Sequence, residues 1–473
     1  MLWIPLDRSL DLPLLRQVYE QIREKILSGE LHAGEKLPST RELAAELKVS
    51  RNVILEAYDQ LLAEGFTETR RGAGTFVACG AYLEPPKKLP SPPSLHWHEP
   101  DKKNGNRISF RSGIPALGLF PRKTWAKLSH AIWQDAPASA FGYDMPEGRP
   151  ELRHVLSHHL RKTRGVDCQP EQLVITSGAT QALTLVATLL LSSGDSVLIE
   201  DPITNDIQTI FTAAGAVLHP IPVDQHGMKT SLLPVQAQPK FVFVTPSHQF
   251  PIGGALPIQR RIQLITYARE NNCYLIEDDY DSEFRYEGSP VSSLQGLDPE
   301  RVIYVGSFSK ILSPALRMGY LILPAHLIEK GRRLKWFLDL HTPSLNQLIL
   351  ARFIAEGHLE RHIARMKKIY QSRRNCLINC LQKTFSGSVS IVGHATGLHL
   401  VIEHKNIRFT KEILEVIDQF DVAVYPVEDH TIVKDTHPNR LILGYGHLTH
   451  EEIQEGIARL YKALFFYESK TKI

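Results

Sequence analysis

Cysteine, net charge and long apolar runs are all scarce in this sequence. Its 473 residues contain five cysteines, an odd and scattered set that argues against a disulfide framework and favours reduced thiols in a cytoplasm. The longest apolar stretch, residues 183–191, is much shorter than the roughly 20 residues that a membrane-spanning helix needs. The N-terminus has no basic segment followed by an apolar one, so we expect no signal peptide and a cytoplasmic protein.

Cysteine spacing gives no metal-ligand pattern either. Cys376 and Cys380 stand four residues apart on one face of a predicted helix, but no second pair of ligands lies near them in the sequence. Buried thiols are therefore the better interpretation of this pair. We expect no metal site.

The charge balance rules out an argument from net charge. The whole chain carries a formal +3, and its first 80 residues hold ten lysines and arginines against twelve aspartates and glutamates. DNA-binding domains often have a basic excess, so binding to nucleic acid must be argued from where individual charges lie. With 43% hydrophobic and 22% charged residues, the chain suits a soluble globular protein of roughly two to four domains.

The order of predicted elements divides the chain into three parts. Residues 1–80 predict short helices followed by a β ribbon, and residues 81–107 form a proline-rich linker with little apolar patterning. Over residues 108–473, short apolar strands alternate with helices, which favours a mostly parallel sheet covered on both faces. Residues 346–384 predict one long helical run, and a smaller α/β segment follows it.

Capping residues place three helices in the N-terminal part. Apolar spacing predicts a first helix over residues 14–27, Ser39 and Glu42 form a capping box for the second helix, and Ser50 caps the third. A hairpin follows over residues 66–77. This order is that of a helix-turn-helix with a wing, whose third helix enters the major groove with its N-terminal residues leading.

Seven residues of this module are candidates for DNA contact. At the start of the third helix, Arg51 can pair with guanine and Asn52 with adenine. Helix N-termini can bind phosphate, and a basic wing with glycine can approach the minor groove. The alternative for any single residue is a solvated helix end or an ordinary charged hairpin. The candidates are Arg41, Ser50, Arg51, Asn52, Arg70, Arg71 and Gly72.

Three segments of this module closely resemble the GntR family winged helix. They are LPSTRELA at 37–44, VSRN at 49–52 and GAGTFV at 72–77. The resemblance covers about residues 12–78. It implies that Arg41, Arg51 and the wing around Gly72 touch DNA.

Two turns in the large part carry candidate chemistry. The segment TSGATQ at 176–181 lies between a strand and a helix, where backbone N–H groups can bind phosphate. The segment EDDYD at 277–281 sets carboxylates in a row at a strand end, which is costly without a positive partner. A metal or a protonated pyridine nitrogen would serve as that partner. Asp281 is interpreted as a solvated loop charge.

A lysine and two arginines complete the candidate chemistry. Lys310 ends the segment VGSFSK at 305–310, a setting suited to Schiff-base chemistry because partial burial lowers the pKa of a lysine. Arg317 can complement a phosphate dianion together with Ser307 and Ser309. Arg440 is the first residue of an apolar strand near the C-terminus. It could bind a ligand carboxylate there, or it could be a solvated residue at the edge of the strand.

Together these patterns resemble fold type I, the aspartate-aminotransferase-like pyridoxal phosphate family, over about residues 108–470. The resemblance implies pyridoxal 5′-phosphate held as a Schiff base on Lys310. It implies that Asp278 pairs with the pyridine nitrogen and Tyr280 with the ring hydroxyl. The phosphate contacts that it implies are Gly178, Ala179, Ser307, Ser309 and Arg317.

A winged helix fused to such a domain resembles the MocR/GabR group of regulators over nearly the whole chain. The runs SHQFP at 247–251 and EDDYDSEF at 277–284 match that group, with Phe250 where aminotransferases usually carry asparagine. The resemblance implies a homodimer in which Tyr143 reaches the neighbouring subunit's cofactor. It also implies that Arg440 holds an effector carboxylate. The predicted fold is an α+β winged helix plus an α/β fold type I domain with a small C-terminal α/β subdomain.

The leading hypothesis is a transcription regulator whose amine or amino-acid effector displaces Lys310 and shifts a dimer bound to two half-sites of double-stranded DNA. Thr204, in EDPIT at 200–204, stands where the group usually has an aromatic residue that stacks on the cofactor ring. Three alternatives stay open. They are sensing of pyridoxal phosphate itself, a working aminotransferase that carries a DNA module, and a cofactor site lost at Thr204.

Overall fold

The computed structural model describes residues 4–82, 106–235 and 237–471. The chain divides into two compact units, Met1–Lys102 and Lys103–Ile473. Most of the predicted linker, 81–107, lies outside the described residues, so the domain limits 1–80 and 108–473 stay predictions. In the described ranges, no helix combines the length and the apolar character needed to cross a membrane.

The N-terminal unit consists of three helices and a two-stranded ribbon. The first helix begins and ends where its apolar spacing predicts, and both polar caps form as expected. The Ser39 side chain accepts from the Glu42 N–H while Glu42 bonds back to Ser39, and Ser50 accepts from the Val53 N–H. The elements are α1 (Leu14–Leu27), α2 (Thr40–Leu47), α3 (Arg51–Ala63), β1 (Thr67–Arg70) and β2 (Gly74–Val77).

One apolar core holds these three helices together. Val18 and Ile22 of α1 pack with Leu43 of α2 and with Ile54 of α3, and all four are fully buried. Lys48 adopts a left-handed conformation with φ 52° in the turn between α2 and α3. The polar start of α3 therefore points away from the core while its apolar side is fixed.

The second unit is built on one large mixed sheet. Five neighbouring strands run parallel. The four inner ones are almost fully buried because both faces are covered, whereas the fifth, Val217–Asp224 toward the edge, alternates between exposed and less exposed residues. The strands introduced here are β3 (Ile108–Ser109), β4 (Leu173–Thr176), β5 (Ser196–Asp201), β6 (Val217–Asp224), β7 (Gly227–Met228), β8 (Phe241–Val244), β9 (Tyr274–Asp279), β10 (Val302–Ser307) and β11 (Gly319–Ile322). Their order in the eight-stranded sheet is β4-β11-β10-β9-β8-β5-β6-β7, while β3 lies outside it.

Helices pack on this sheet and continue into the C-terminal part. Many alternate with the strands, as the sequence predicts. They are α4 (Arg122–Asp135), α5 (Pro150–Arg164), α6 (Ala179–Leu190), α7 (Asn205–Ala213), α8 (Ile258–Glu270), α9 (Ile328–Asp339), α10 (Ser344–Ala355), α11 (His358–Phe385), α12 (Lys411–Gln419) and α13 (His450–Thr471).

The prediction of one long helical run over residues 346–384 is wrong. The structure has two helices, α10 and α11, separated at Gly357, whose φ of 71° lies in the left-handed region. Glycine adopts that conformation without steric cost, so the chain turns there and α10 packs against α5 and α4.

A small antiparallel sheet forms the C-terminal subdomain. It consists of β12 (Val389–Val392), β13 (His399–His404), β15 (Tyr425–Pro426) and β16 (Arg440–Gly444), in the order β12-β13-β16-β15. The remaining short strand, β14 (Val422–Ala423), pairs in parallel with β3. The first strand of this unit in the chain thus joins the C-terminal subdomain, which brings residues 110–113 next to the large sheet.

Arg164 compensates a buried charge at the end of β9. Its Nε and Nη2 atoms each lie 2.7 Å from a partner, the Asp279 carboxylate and the Ser247 hydroxyl respectively. Tyr304 donates a further hydrogen bond to Asp279. Both charged side chains are about 95% buried or more, so this pair fixes the end of α5 to the acidic edge of the sheet.

Replacing this cation tests how strongly the edge depends on it. We expect Arg164→Met to lower the free energy of unfolding by roughly 3–5 kcal/mol, because Asp279 is left charged and unpaired in the interior. Urea denaturation at neutral pH measures the change.

Two controls accompany this prediction. The double variant Arg164→Met/Asp279→Leu removes both charges and should recover most of the loss. Arg408→Met breaks an exposed pair with Asp435 and should cost less than about 1 kcal/mol. An Arg164→Met protein as stable as the parent would contradict the assignment.

Candidate functional site

A cleft of about 530 Å³ opens at the carboxyl ends of the parallel strands. Ligands bind at this edge of open α/β sheets because helix N-termini and loop side chains meet there. Four of the predicted cofactor residues line it: Ala179, Asp278, Tyr280 and Lys310. Residues from β9, α6, α7 and the C-terminal subdomain complete its wall.

Lys310 projects into this cleft from the turn after β10. Its Nζ donates a 2.7 Å hydrogen bond to the Gly113 carbonyl. Burial lowers the pKa of the lysine, and the carboxylates of Asp281 and Asp278 oppose that shift. The deprotonated amine is the form that attacks a carbonyl carbon, and a lowered pKa favours that form, so the setting suits the chemistry predicted from the sequence.

Asp278 presents an unsatisfied oxygen to the cleft. The side chain is buried, and its Oδ1 has no hydrogen-bond partner among the described residues. Burial, with the nearby charges of Asp279 and Asp281, raises the pKa of Asp278 to about 7. A buried unpaired carboxylate is costly, so this atom marks a place for a donor or a cation.

The interpretation of Asp281 as a solvated charge is wrong. Its side chain is buried, and its Oδ1 lies 2.8 Å from His248 Nδ1. Tyr280 joins the same cluster, because its hydroxyl donates to the His248 carbonyl at 2.9 Å and its ring stacks on the imidazole. The partner of Asp281 comes from a loop 33 residues away in the chain, which local sequence does not reveal.

The predicted phosphate contacts assemble beside the cleft. Arg317 Nη2 donates to the Ser177 carbonyl at 2.7 Å, and a Cβ on Gly178 would lie 3.0 Å from that guanidinium. The Ser307 hydroxyl lies 3.0 Å from that of Ser309. Neighbouring strand ends bring the groups together, because Gly319 pairs with Ser307 on one side and with Thr176 on the other.

Besides these phosphate contacts, two further predicted residues lie outside the cleft wall. Arg440 opens β16, and its Nη2 lies 3.1 Å from a carboxylate oxygen of Glu403 on the neighbouring strand. Tyr143 is 81% exposed and makes an edge contact with His341. Thr204, by contrast, does line the cleft, where it caps α7 without a side-chain hydrogen bond.

Sequence reasoning missed several residues of the wall. Arg111 and Asp206 contribute opposite charges, and His399, Tyr425 and His430 come from the C-terminal subdomain. Burial lowers the pKa of His399 to about 3, so this imidazole is neutral. These residues lie far apart in the chain and in no shared motif, so only the fold brings them together.

The DNA-contact candidates lie at the starts of α2 and α3 and on the ribbon with its turn. Arg51 makes a long contact of 3.4 Å with the Thr40 hydroxyl and has no carboxylate partner in the described residues. Arg70 differs, because it lies over the Phe76 ring and pairs with Glu68. The remaining candidates Arg41, Ser50, Asn52, Arg71 and Gly72 are all exposed or half-buried.

Lys36 is a basic residue of the ribbon that the sequence did not single out. A β-bridge pairs it with Phe76, and its Cε would lie 3.1 Å from a Cβ on Gly74. It therefore adds a positive charge next to the wing.

Comparison with known proteins assigns both units. Residues 14–77 match the gntR family of bacterial regulatory proteins, and residues 108–460 match aminotransferase class I and II. The chain is 34% identical to the probable rhizopine catabolism regulatory protein MocR of Rhizobium meliloti, over 98% of this chain and 96% of the relative. It is 33% identical to the pyridoxine biosynthesis transcriptional regulator PdxR of Corynebacterium glutamicum, over 77% of this chain and 78% of the relative. The chain belongs to the MocR/GabR group of transcription regulators.

Solved structures agree with this assignment for the large unit. The kynurenine aminotransferase of Pyrococcus horikoshii, solved in complex with PMP, has a TM-score of 0.71 at 29% identity, over 76% of this chain and 91% of that one. The predicted fusion of a winged helix to a fold type I domain is thereby confirmed.

The residues of the cleft fit pyridoxal phosphate. The unpartnered Asp278 oxygen suits a protonated ring nitrogen, and the Lys310 amine stands in the same cleft. The N-terminus of α6 begins at Gly178 without a side-chain cap, so its free N–H groups suit a phosphate. His248, His399 and Asp281 bring ligand atoms within 4.8 Å of one another. His248 Nδ1 is already bonded to Asp281 and His399 Nε2 to the Pro251 carbonyl, whereas His248 Nε2 has no partner among the described residues.

The raised pKa of Asp278 predicts a pH-dependent stability in the cofactor-free protein. Between about pH 5 and about pH 7 the unfolded chain has released this proton while the folded chain retains it, so the parent loses stability as pH rises. We expect Asp278→Asn to gain roughly 2 kcal/mol relative to the parent across this window. Denaturation at both pH values measures the difference.

A matched control separates this effect from general pH dependence. Asp224 has a lowered pKa because it bonds to Arg260, so its proton is lost in both states across the window. The difference between Asp224→Asn and the parent should therefore stay flat. A flat difference for Asp278→Asn as well would show that this carboxyl ionises normally.

Proposed function

We propose that this regulator senses an amine effector through pyridoxal 5′-phosphate bound at Lys310. The observation that carries the proposal is the unpartnered, buried Asp278 oxygen in the same cleft as the Lys310 amine. A buried carboxylate with a purely structural role would be bonded to another protein group, whereas one that binds a cofactor has its partner only when the cofactor is present. When bound, pyridoxal phosphate supplies two groups: an aldehyde that can pass from one amine to another, and an electron-withdrawing ring.

The chain's own residues have distinct tasks in this proposal. Lys310 would bind the aldehyde carbon of the cofactor through its amine, and Asp278 would accept a hydrogen bond from the protonated ring nitrogen. Arg317 and the Gly178 turn hold the phosphate, together with Ala179, Ser307 and Ser309. Arg440 remains the residue predicted to bind the effector's carboxylate, although it must first break its ion pair with Glu403. Arg111, a second arginine, already lines the cleft wall.

A homodimer is part of the same proposal. Trp133, Phe141, Tyr143, Met145 and Phe337 are all more than half exposed, and large exposed apolar side chains favour an interface. Tyr143 is free to reach a second subunit, as the resemblance implies. Two winged helices would then meet two half-sites of double-stranded DNA.

A ligand shifts a regulator only if it binds its two arrangements with different affinity. The effector-sensing proposal therefore requires that an amine change operator affinity in the loaded protein. PdxR among the relatives favours a second candidate, in which pyridoxal phosphate itself is the effector. The likeness to an aminotransferase structure favours a third, a regulator with residual transaminase turnover.

Lys310→Ala tests the cofactor proposal. We expect the purified parent to develop the absorbance band of lysine-bound pyridoxal phosphate, and Lys310→Ala to lack it because no amine is left to react. Lys383→Ala, an exposed residue near the end of α11, should keep the band. Operator binding with cofactor alone, and then with added amines, separates the two sensing candidates.

Several outcomes would overturn this assignment. No band in the parent would show that the cofactor site is lost. Sustained turnover of an amino-acid panel at ordinary enzyme rates would make the chain an aminotransferase first.

Arg51→Ala tests the DNA interface. We expect a loss of about 1–3 kcal/mol in operator binding, because a base-contacting arginine is removed. Fluorescence anisotropy with operator and scrambled duplexes at fixed salt measures it. Arg16→Ala on α1, where the side chain pairs with Glu20, is the control and should bind normally. Equal affinity of Arg51→Ala and the parent for operator would refute this docking.

A further inference from the structure

A buried aspartate–histidine pair lies behind Tyr280. His248 Nδ1 lies 2.8 Å from one Asp281 oxygen and 3.1 Å from the other, and both side chains are at least 97% buried. An ionised carboxylate only accepts hydrogen bonds, so the imidazole carries its proton on Nδ1. Its Nε2 has no partner among the described residues. A bare lone pair there costs less than an unpaired buried N–H, which favours the tautomer with its proton on Nδ1.

The same Nδ1–H lies next to the Tyr280 hydroxyl. The phenolic oxygen is 3.1 Å from His248 Nδ1, while its proton points to the His248 carbonyl oxygen at 2.9 Å. A phenol has one proton to donate. If that proton turns toward an acceptor in the cleft, the bond to the carbonyl is lost. The Nδ1–H, which is shared between Asp281 and the phenolic oxygen, is then the donor left beside that oxygen.

The imidazole itself is fixed from the C-terminal subdomain. A Cβ on Gly397 would lie 2.1 Å from His248 Cε1 and 2.5 Å from an Asp281 oxygen. His399 lies against the ring with centroids 5.0 Å apart, and its Nε2 donates to the Pro251 carbonyl at 2.9 Å. Close packing and the hydrogen bond to Asp281 therefore hold the His248 ring in this position.

We infer that His248, held by Asp281, is a positioning residue. It keeps the Tyr280 oxygen in place while the phenolic proton of Tyr280 faces the cofactor's ring oxygen. This rests on the proposed cofactor. A phenol that accepts one hydrogen bond is a stronger donor in the next, so the pair strengthens the bond from Tyr280. That bond stabilises negative charge on the ring oxygen and makes the neighbouring lysine nitrogen less basic.

The measurable consequence is the pH at which the bound cofactor changes its absorbance. Loss of the Nδ1–H weakens the donor bond and raises that midpoint. Among the described residues, the other titratable and charged groups around Lys310 and Tyr280 include Asp278, Asp281, Glu200, Asp279, Asp206, Arg111, His399 and His430. All of them stay in place in the variants below, so their influence is common to every titration.

Two substitutions distinguish the two nitrogens of His248. Asparagine can place an N–H near the position of Nδ1, whereas glutamine places it near Nε2. In the cofactor-loaded full chain we expect His248→Gln to raise the absorbance midpoint by about one pH unit, and His248→Asn to stay near the parent. His404→Gln, at a buried histidine on β13 outside the cleft wall, is the control and should not shift. In a Tyr280→Phe background, His248→Gln should add no further shift.

Each outcome decides between positioning and mere packing. Equal midpoints in the parent and His248→Gln, equal shifts in the Gln and Asn variants, or an additive shift in the Tyr280→Phe background would overturn the inference. Failure of both His248 variants to load would also reject it, because the residue then does more than position Tyr280. No band in the parent would instead refute the proposed cofactor, which is a separate result.

Discussion

Burial of negative charge at the end of β9 is the constraint on which the large unit depends. Glu277, Asp278 and Asp279 follow one another in a strand that is covered on both faces. Each has a different solution: Glu277 accepts two backbone N–H bonds, from Leu294 and Gln295, and Asp279 pairs with Arg164. One oxygen of Asp278 and one of Asp279 have no hydrogen-bond partner among the described residues, but of these three carboxylates only Asp278 lines the cleft. Structural contacts thus stabilise Glu277 and Asp279, while the carboxylate of Asp278 is left to bind a ligand in the cleft.

This constraint explains why the sequence was informative about part of the site. Asp278 is the second-last residue of the buried strand β9, and Lys310 comes three residues after the end of the buried strand β10. Parallel strands carry their carboxyl ends to one edge, so local motifs were enough to place the two residues together. Helix starts at Ser39 and Ser50 were equally local, because a cap depends only on the next three residues.

Other contacts lie beyond local pattern. The bond between Asp281 and His248 joins two loops, and the Arg440–Glu403 pair crosses between strands whose register depends on the whole subdomain. Gly113 holds Lys310 through a carbonyl, a group that every residue possesses. The break at Gly357 was missed for a different reason: a glycine inside a helical pattern is compatible with either continuation or a turn.

The close approach at Gly397 has a consequence for how this sequence can diverge. Any side chain there would collide with both members of the His248–Asp281 pair, and the backbone φ of 83° already disfavours other residues. A residue other than glycine is therefore not tolerated at position 397 while the pair is present. It becomes tolerated only after a smaller side chain has replaced the imidazole. Among homologues we expect positions 248, 281 and 397 to vary together, which would tie a loop of the large sheet to the subdomain over evolutionary time.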